Sequence, residues 1–206
     1  HINSMDKKIR LLQVIPRLDV GGAETGCKDI GQYIANQNYF SAILCSGGEQ
    51  LKNIDQTKVK IFKFSVQSKN PFVIFFNIFV ILFIVFFYKI NIIHVRSRAP
   101  AWSCYFASKL LGVPLISTFH GTYNFNNPLK KFYNSIMLRG NSVIAGSRFI
   151  FEHIKNNYNY SKEIFLIPRG INIDYFNPKN SNIEEFNSVR TRWGIPSNDF
   201  LILLPG

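Results

Sequence analysis

The sequence predicts an α/β fold in which a doubly wound, mostly parallel sheet is covered by helices on both faces. Short runs rich in β-branched residues alternate along the chain with longer segments of helical pattern, as in parallel sheets with crossover helices. The chain has 206 residues, of which 47% are hydrophobic and 17% charged. This is enough apolar material for one large core, or for one domain and part of another.

The predicted strands are seven short apolar runs, each bounded by polar or turn-forming residues. In chain order they are IRLLQVI (9–15), SAILC (41–45), VKIFKF (59–64), NIIHV (91–95), PLISTF (114–119), SVIAG (142–146) and IFLIP (164–168). The segments between them are long enough for crossover connections, which parallel strands require. The order therefore predicts a Rossmann-like sheet.

Five of the intervening segments predict helices. In chain order these cover Ala23 to Asn36, the apolar run 72–88, Ala101 to Leu111, Pro128 to Leu138 and Arg148 to Asn157.

The apolar run lies in the most hydrophobic segment of the chain, NPFVIFFNIFVILFIVFFYKIN (70–91), which at first looks like a membrane span. Seventeen helical residues would cover roughly 26 Å, against a hydrocarbon core of about 30 Å. A span here would separate the first three strands from the later strands by a bilayer, and the sheet could not close. We therefore expect a helix within the domain.

The phenylalanines of this helix share one side. At 100° per residue all seven fall within about 120°, and we call them the Phe arc. The Phe arc consists of Phe72, Phe75, Phe76, Phe79, Phe83, Phe86 and Phe87. Because Asn77 and Tyr88 lie opposite the arc, we expect the Phe arc to pack on the sheet. The Ile and Val side, flanked by Lys69 and Lys89, would then contact an anionic membrane surface or a partner molecule.

The two ends of the chain predict its domain organisation. HINS (1–4), before Met5, is interpreted as a cloning remnant. Residues 5–178 are predicted to form one N-terminal Rossmann-like domain. After a polar stretch, DFLILLPG (199–206) has the pattern of a strand without a partner. Residues 179–206 are therefore interpreted as a linker helix and the first strand of a second, truncated domain.

The net charge is strongly positive and bears on the class of partner. The chain has 24 Lys and Arg against 12 Asp and Glu, a formal charge of +12, which favours nucleic acid, anionic lipid or sugar-nucleotide diphosphates. No predicted helix carries the Lys and Arg stripe of a DNA-reading element, so nucleic acid is disfavoured.

The cysteines and the N-terminal region bear on the compartment. Cys27, Cys45 and Cys104 are odd in number and lack CxxC spacing, which supports neither a disulfide framework nor a zinc site. No segment after Met5 has the features of a signal peptide. We expect a cytoplasmic protein with buried, reduced thiols.

The loop PRLDVGGAET (16–25) lies between the first strand and the first helix, at the sheet edge where open α/β folds bind ligands. Gly21 and Gly22 would let a ligand approach the backbone, and the opening N–H groups of the helix suit a phosphate or a sugar oxygen. A tight turn that merely needs glycine would show the same pattern. The spacing is not G-x-G-x-x-G, which disfavours a dinucleotide-dependent oxidoreductase.

Two further clusters follow strands at the same predicted edge. His94, Arg96, Ser97 and Arg98 come at or after the fourth strand, and His120 and Gly121 come after the fifth. A lone histidine is more often structural than functional. The convergence of both clusters with the glycine loop on one edge nevertheless favours an anionic, hydroxyl-rich ligand.

Five motifs follow one another along the chain: GGAE (21–24), RSRAPAW (96–102), FHGTYN (119–124), VIAGSRFI (143–150) and IPRGINIDYFNP (167–178). Together and in this order they resemble the N-terminal half of retaining GT-B glycosyltransferases of family four, over about residues 9–206. RWGIPSNDFLILLPG (192–206) resembles the linker helix and first strand of the family's C-terminal Rossmann domain.

The resemblance implies transfer of a sugar from a nucleotide-diphosphate donor to an acceptor hydroxyl, with the anomeric configuration retained, in a cleft between two domains. It implies a catalytic role near the reacting carbon for His120. Contact with donor sugar or phosphates is implied for Gly21, Gly22, Gly121 and Arg169, and contact with the acceptor for Arg96, Ser97, Arg98 and Tyr123. At position 169 the family often has Asn where this chain has Arg.

The resemblance also bears on cofactors, location and activity. The chain has no Asp-x-Asp pair to hold a metal, in agreement with a metal-independent enzyme that needs no cofactor besides its sugar nucleotide. The family takes much of its donor binding from the C-terminal half, so residues 1–206 alone are expected to be inactive. The expected acceptor is lipid-linked or of lipopolysaccharide type, at the inner face of a bacterial membrane. The alternative is a non-catalytic Rossmann-type module that binds anionic lipid.

Overall fold

The computed structural model describes residues 8–123, 127–180, 182–196 and 198–204, and it confirms the predicted α/β fold. All seven predicted strands form, and they pair in parallel in the order β3-β2-β1-β4-β5-β6-β7. The strands are β1 (Arg10–Val14), β2 (Phe40–Cys45), β3 (Val59–Lys63), β4 (Ile92–Val95), β5 (Leu115–Phe119), β6 (Ser142–Ala145) and β7 (Ile164–Leu166).

The five predicted helices also form, and a sixth follows them. They are α1 (Gly22–Asn36), α2 (Pro71–Phe87), α3 (Arg98–Leu111), α4 (Pro128–Ser135), α5 (Arg148–Asn157) and α6 (Ile183–Arg192). Short 3₁₀ turns occupy Glu49–Asn53, Ile136–Leu138 and Pro178–Asn180. The second of these replaces the last turn of the helix predicted over 128–138.

The strand order reverses between β1 and β4. The chain winds outward from β1 through β2 to β3, crosses back through α2, and winds the other way from β4 to β7. In such sheets the loops at the carboxyl ends of the two central strands diverge and leave a crevice. The loop after β1 and the segment after β4 lie at this point, where ligand-binding residues were predicted.

The apolar core is divided by the sheet into two clusters. The smaller lies under α1 and includes Ile15, Cys27 and Ile43. The larger combines side chains of α2, α3 and α5 with the opposite face of the sheet, and Ile81, Cys104 and Ile154 in it are fully buried. The sheet is thus covered on both faces.

Helix α2 is a helix of this domain, as predicted, but its orientation is the reverse of the predicted one. The seven side chains of the Phe arc are between 54% and 85% exposed. The side that packs inward carries Asn77, Val80, Ile81, Ile84 and Val85. The prediction that the Phe arc packs on the sheet is therefore wrong.

The reversal has a steric and a polar cause. Branched aliphatic side chains let α2 pack closely on α3, where the Ser103 hydroxyl donates a hydrogen bond of 2.8 Å to the Ile74 carbonyl. Buried Asn77, which had been assigned outward, donates from Nδ2 to the Ser65 carbonyl at 3.1 Å and so satisfies its amide inside the protein. In the described part of the chain, no helix is long and apolar enough to cross a membrane.

The chain divides into two compact units, His1–Arg169 and Gly170–Gly206. In the second unit, the N-cap of α6 is Asn182, whose side chain accepts a hydrogen bond from the Glu184 amide at 2.9 Å. The strand predicted near the C-terminus is absent from residues 198–204, which begin with a turn and are exposed. A strand needs a hydrogen-bonded neighbour, and the described residues of this unit contain no other strand.

Candidate functional site

The loop after β1 places two glycines at the start of α1. Gly22 opens the helix, and a methyl group at its Cα would overlap Nη1 of Arg169. A methyl group at Gly21 would likewise overlap the carboxylate of Glu24. The φ of Gly21 is 170°, an extended conformation that any residue adopts, so backbone strain does not require glycine here. A side chain at either position would instead displace the end of the Glu24 or Arg169 side chain.

His120 follows β5 directly and is half-buried at the carboxyl edge. Nη2 of Arg169 donates to the His120 carbonyl at 3.2 Å and lies 3.4 Å from Nδ1 of the imidazole. Because a guanidinium only donates, this contact favours the tautomer in which Nδ1 accepts and Nε2 carries the ring proton. Nε2 is buried and has no hydrogen-bond partner among the described residues.

The electrostatic surroundings keep His120 neutral. Burial, and then the positive charges of Arg96 and Arg169, lower the pKa of His120 to about 4. A neutral imidazole with an unpartnered N–H is a hydrogen-bond donor that carries no charge of its own.

Arg96 follows β4 and is 5% exposed. Its Nε and Nη2 donate to Oε1 of Gln13 at 3.0 and 2.8 Å, and Nη2 also reaches the Gly26 carbonyl at 3.5 Å. Burial lowers the pKa of this guanidinium, because no solvent stabilises its charge. None of the ion pairs found in the described residues involves Arg96 or Arg169, so two positive charges lie near His120 without a carboxylate partner.

Arg98 and Tyr123 form a second group. The guanidinium carbon of Arg98 lies 4.3 Å from the centre of the Tyr123 ring, and Nη1 donates to Oδ1 of buried Asn134 at 2.9 Å. Tyr123 also packs on Phe119, with ring centres 5.1 Å apart. Burial raises the pKa of Tyr123 to about 12, so its hydroxyl stays protonated.

Two of the four predicted donor-side residues thus lie with the predicted catalytic residue, whereas the predicted acceptor-side residues are divided. Gly22, Arg169 and His120 form one group, and Arg96 belongs to it rather than to the group of Arg98 and Tyr123.

Three predicted residues remain outside both groups, and the first of them, Gly21, lies against the carboxylate of Glu24. Ser97 is the N-cap of α3, with no hydrogen bond from its side chain to the helix. At Gly121 a methyl group would meet open space, so crowding does not explain the glycine.

The sequence analysis missed three buried polar residues that bond predicted residues of the carboxyl edge. Gln13 holds Arg96, Asn134 holds Arg98, and Thr118 contacts Nε2 of buried His94 at 2.7 Å through its hydroxyl. A glutamine in the middle of the apolar run RLLQV was the one available signal, because a buried amide requires a partner. His94, which had been grouped with the edge residues, lies within β4 and is buried.

The described residues contain no cluster of three or more His, Cys, Asp or Glu that could hold a metal ion. All three cysteines are buried and free, as expected. What the site offers is therefore unbalanced positive charge beside a neutral hydrogen-bond donor, an arrangement suited to an anionic ligand that also carries hydroxyl groups.

Comparison with solved structures reveals close similarity to a glycosyltransferase from Rickettsia africae ESF-5, with 38% identity and a TM-score of 0.79 over 93% of this chain and 51% of that chain. Anabaena Alr3699/HepE in complex with UDP-glucose has 14% identity and a TM-score of 0.70, over 90% of this chain and 50% of that chain. A UDP-N-acetylglucosamine 2-epimerase from Rickettsia bellii has 12% identity and a TM-score of 0.59, over 88% and 51% of the two chains. The last two similarities establish the fold alone.

This chain therefore spans about half the length of the solved proteins it matches. A search of curated proteins finds no match. The fold is that of the N-terminal Rossmann-like domain of GT-B glycosyltransferases. The profile of Glycosyltransferase Family 4 matches residues 20–175, more than half of the chain. The chain belongs to Glycosyltransferase Family 4.

Proposed function

We propose that this chain is the acceptor-side half of a retaining glycosyltransferase that moves a sugar from a nucleotide-diphosphate donor to an acceptor hydroxyl. The observation that carries the proposal is the His120 group: a neutral imidazole with an unpartnered Nε2, beside two guanidinium groups without carboxylate partners in the described residues. The family match and the UDP-glucose complex of the Anabaena protein support a sugar nucleotide as donor.

The two guanidinium groups would act on the donor's negative charge. A diphosphate that leaves the sugar gains charge in the transition state, and fixed positive groups stabilise that state more than the bound donor. Arg169 is exposed above Gly22 and would contact phosphate directly. Buried Arg96 would act through its field on His120 and the ligand. The second half of the protein would supply further donor contacts.

His120 would donate from Nε2–H to a hydroxyl of the donor sugar near the reacting carbon. A neutral imidazole suits this role, because a charged imidazolium would bind the anionic phosphate in preference to the sugar hydroxyl. Arg98, Tyr123 and Ser97 would face the acceptor. The proposed reaction proceeds with retention and without a metal ion or other cofactor.

We further propose a bacterial enzyme of lipopolysaccharide or cell-surface glycan synthesis, located in the cytoplasm at the inner membrane face. A lipid-linked acceptor would be held in the membrane, so the enzyme would have to meet both it and the soluble donor at that face. The positive net charge of +12 supports this location, since it attracts the protein to anionic surfaces.

The proposal is tested by His120→Ala in the full-length protein, with the donor that a screen of labelled sugar nucleotides identifies. Loss of one hydrogen-bond donor to the transition state should lower kcat about 100-fold. The melting temperature should stay close to that of the wild type, because His120 is only half-buried at a loop.

A matched pair of arginine variants serves as the control. Arg169→Ala should lower turnover strongly, whereas Arg139→Ala should not, because Arg139 is an exposed arginine that precedes β6 and so lies at the opposite edge of the sheet. Wild-type kcat in His120→Ala would remove this residue from the site.

A further inference from the structure

The Phe arc of α2 is an exposed apolar surface of unusual composition. Its rings contact one another rather than the core: Phe75 and Phe79 have ring centres 5.2 Å apart, and Phe83 and Phe87 have centres 4.2 Å apart. From Phe72 to Phe87 the arc extends for about 22 Å along the helix. Contiguous apolar surfaces of this kind mark sites of interaction.

An apolar groove lies beside the arc. It has a volume of about 310 Å³ and is lined by Phe62 and Phe64 of the edge-strand region and by Phe76, Phe79 and Phe83 of α2. The groove extends the apolar surface beyond α2 to the neighbouring edge of the sheet. It also offers a cleft for a flexible hydrocarbon chain.

The net charge of the protein is concentrated in the part of the chain that contains this surface. Residues 56–151 contain 12 Lys and Arg and no Asp or Glu. The remaining residues contain the other 12 Lys and Arg and all 12 Asp and Glu, so they are neutral overall. Lys69 and Lys89 flank α2 and are exposed, and exposed Lys60 lies on the neighbouring strand β3. The charged residues that flank α2 in the chain, and the exposed lysine of the neighbouring strand, are therefore all positive.

We propose that the Phe arc is a docking surface for an anionic lipid bilayer. The helix would lie parallel to the bilayer with its rings at the boundary between headgroups and acyl chains, while the surrounding lysines contact the headgroups. A second copy of this chain would bring the same positive charges face to face, whereas anionic lipid supplies the opposite charge. The inference deepens the proposed membrane location and does not depend on sugar transfer.

Cosedimentation of the full-length protein with vesicles tests the proposal. Equal amounts of phosphatidylcholine and phosphatidylglycerol form the anionic vesicles, and phosphatidylcholine alone forms the neutral ones. The wild type should bind the anionic vesicles, and less so at high salt. Phe75→Ser with Phe79→Ser should lower the partition coefficient about tenfold or more, because two rings lose their burial in lipid.

Matched variants distinguish binding through the Phe arc from nonspecific binding to vesicles. Ile30→Ser with Tyr33→Ser removes two exposed apolar side chains from α1, on the opposite face of the sheet, and should leave binding unchanged. Lys69→Glu with Lys89→Glu should abolish binding to anionic vesicles. Lys52→Glu with Lys162→Glu changes the net charge equally outside residues 56–151 and should weaken binding much less.

Two outcomes would overturn the proposal. The first is wild-type vesicle binding by the folded Phe75→Ser, Phe79→Ser variant, checked by circular dichroism. The second is a dimer in solution that this variant abolishes, without vesicle binding by the wild type, which would assign the arc to a second copy. Neither outcome bears on sugar transfer, because the assay contains no donor and no acceptor.

Discussion

His120 shows how one residue takes its properties from distant parts of the chain. Arg96 and Arg169 follow different strands, yet both charges act on the imidazole. Gly22 belongs to this arrangement because it leaves room for the Arg169 guanidinium. The histidine is consequently uncharged at neutral pH, and its nearest positive groups are held by hydrogen bonds rather than by acids.

The lowered pKa values of two histidines predict how the free energy of unfolding depends on pH. The pKa of His120 is lowered to about 4, and burial holds the pKa of His94 well below its ordinary value. In the unfolded chain both groups titrate near about 6.5. As the pH falls from about 6.5 towards 4, the unfolded chain therefore binds more protons than the folded chain, and the free energy of unfolding decreases.

Urea unfolding at several pH values measures this effect. The free energy of unfolding of the wild type should decrease progressively as the pH falls from about 6.5 to about 4. That of His120→Gln should decrease less, because one titrating group is removed. Carboxylates titrate in both proteins, so the difference between the two isolates the histidine. Equal slopes for wild type and variant would contradict the low pKa.

Helix α2 shows the limit of periodicity at the scale of one element. Apart from Asn77 it is apolar on every side, so the pattern sorts Phe from Ile and Val but does not say which group is buried. Packing decided the question: compact aliphatic side chains fit between the sheet and α3, and the Asn77 amide found a carbonyl inside.

A pair of lysine substitutions in α2 tests this orientation. Ile81 is fully buried, so Ile81→Lys should destabilise the domain by about 3 kcal/mol or more, since it buries an unpaired charge. Phe79 is 54% exposed, so Phe79→Lys should change stability by less than about 1 kcal/mol. Urea midpoints measure both, and the opposite ranking would restore the orientation predicted from the sequence.

At the scale of the whole molecule, the proposed function makes the candidate site one side of a larger site. The residues that converge at the carboxyl edge belong to the unit that ends at Arg169, and the chain spans about half the length of the solved glycosyltransferase from Rickettsia africae ESF-5. In the proposed enzyme most donor contacts come from the other half.

The donor affinity of the 206-residue chain measures how the donor contacts are divided between the two halves of the proposed enzyme. Calorimetric titration with UDP-glucose and other sugar nucleotides should show a Kd of about 1 mM or weaker, and the chain alone should not turn over. The full-length protein should bind its donor more tightly. Micromolar affinity in the 206-residue chain would mean that the donor site lies within these residues.

The sequence by itself determined the elements and the edge at which the site lies. Strand and helix patterns are local, and the alternation of strands and helices implies a parallel sheet, so the seven strands, the five helices and the convergence of Gly22, Arg96 and His120 on one edge could be predicted. Arg169 was assigned to this site only through the family resemblance. Tertiary structure decided what depends on side chains meeting across the fold. It gave Arg96 its partner Gln13, separated Arg96 from Arg98, and turned the Phe arc outward, because burial and hydrogen bonding are properties of the packed molecule and not of a periodic pattern.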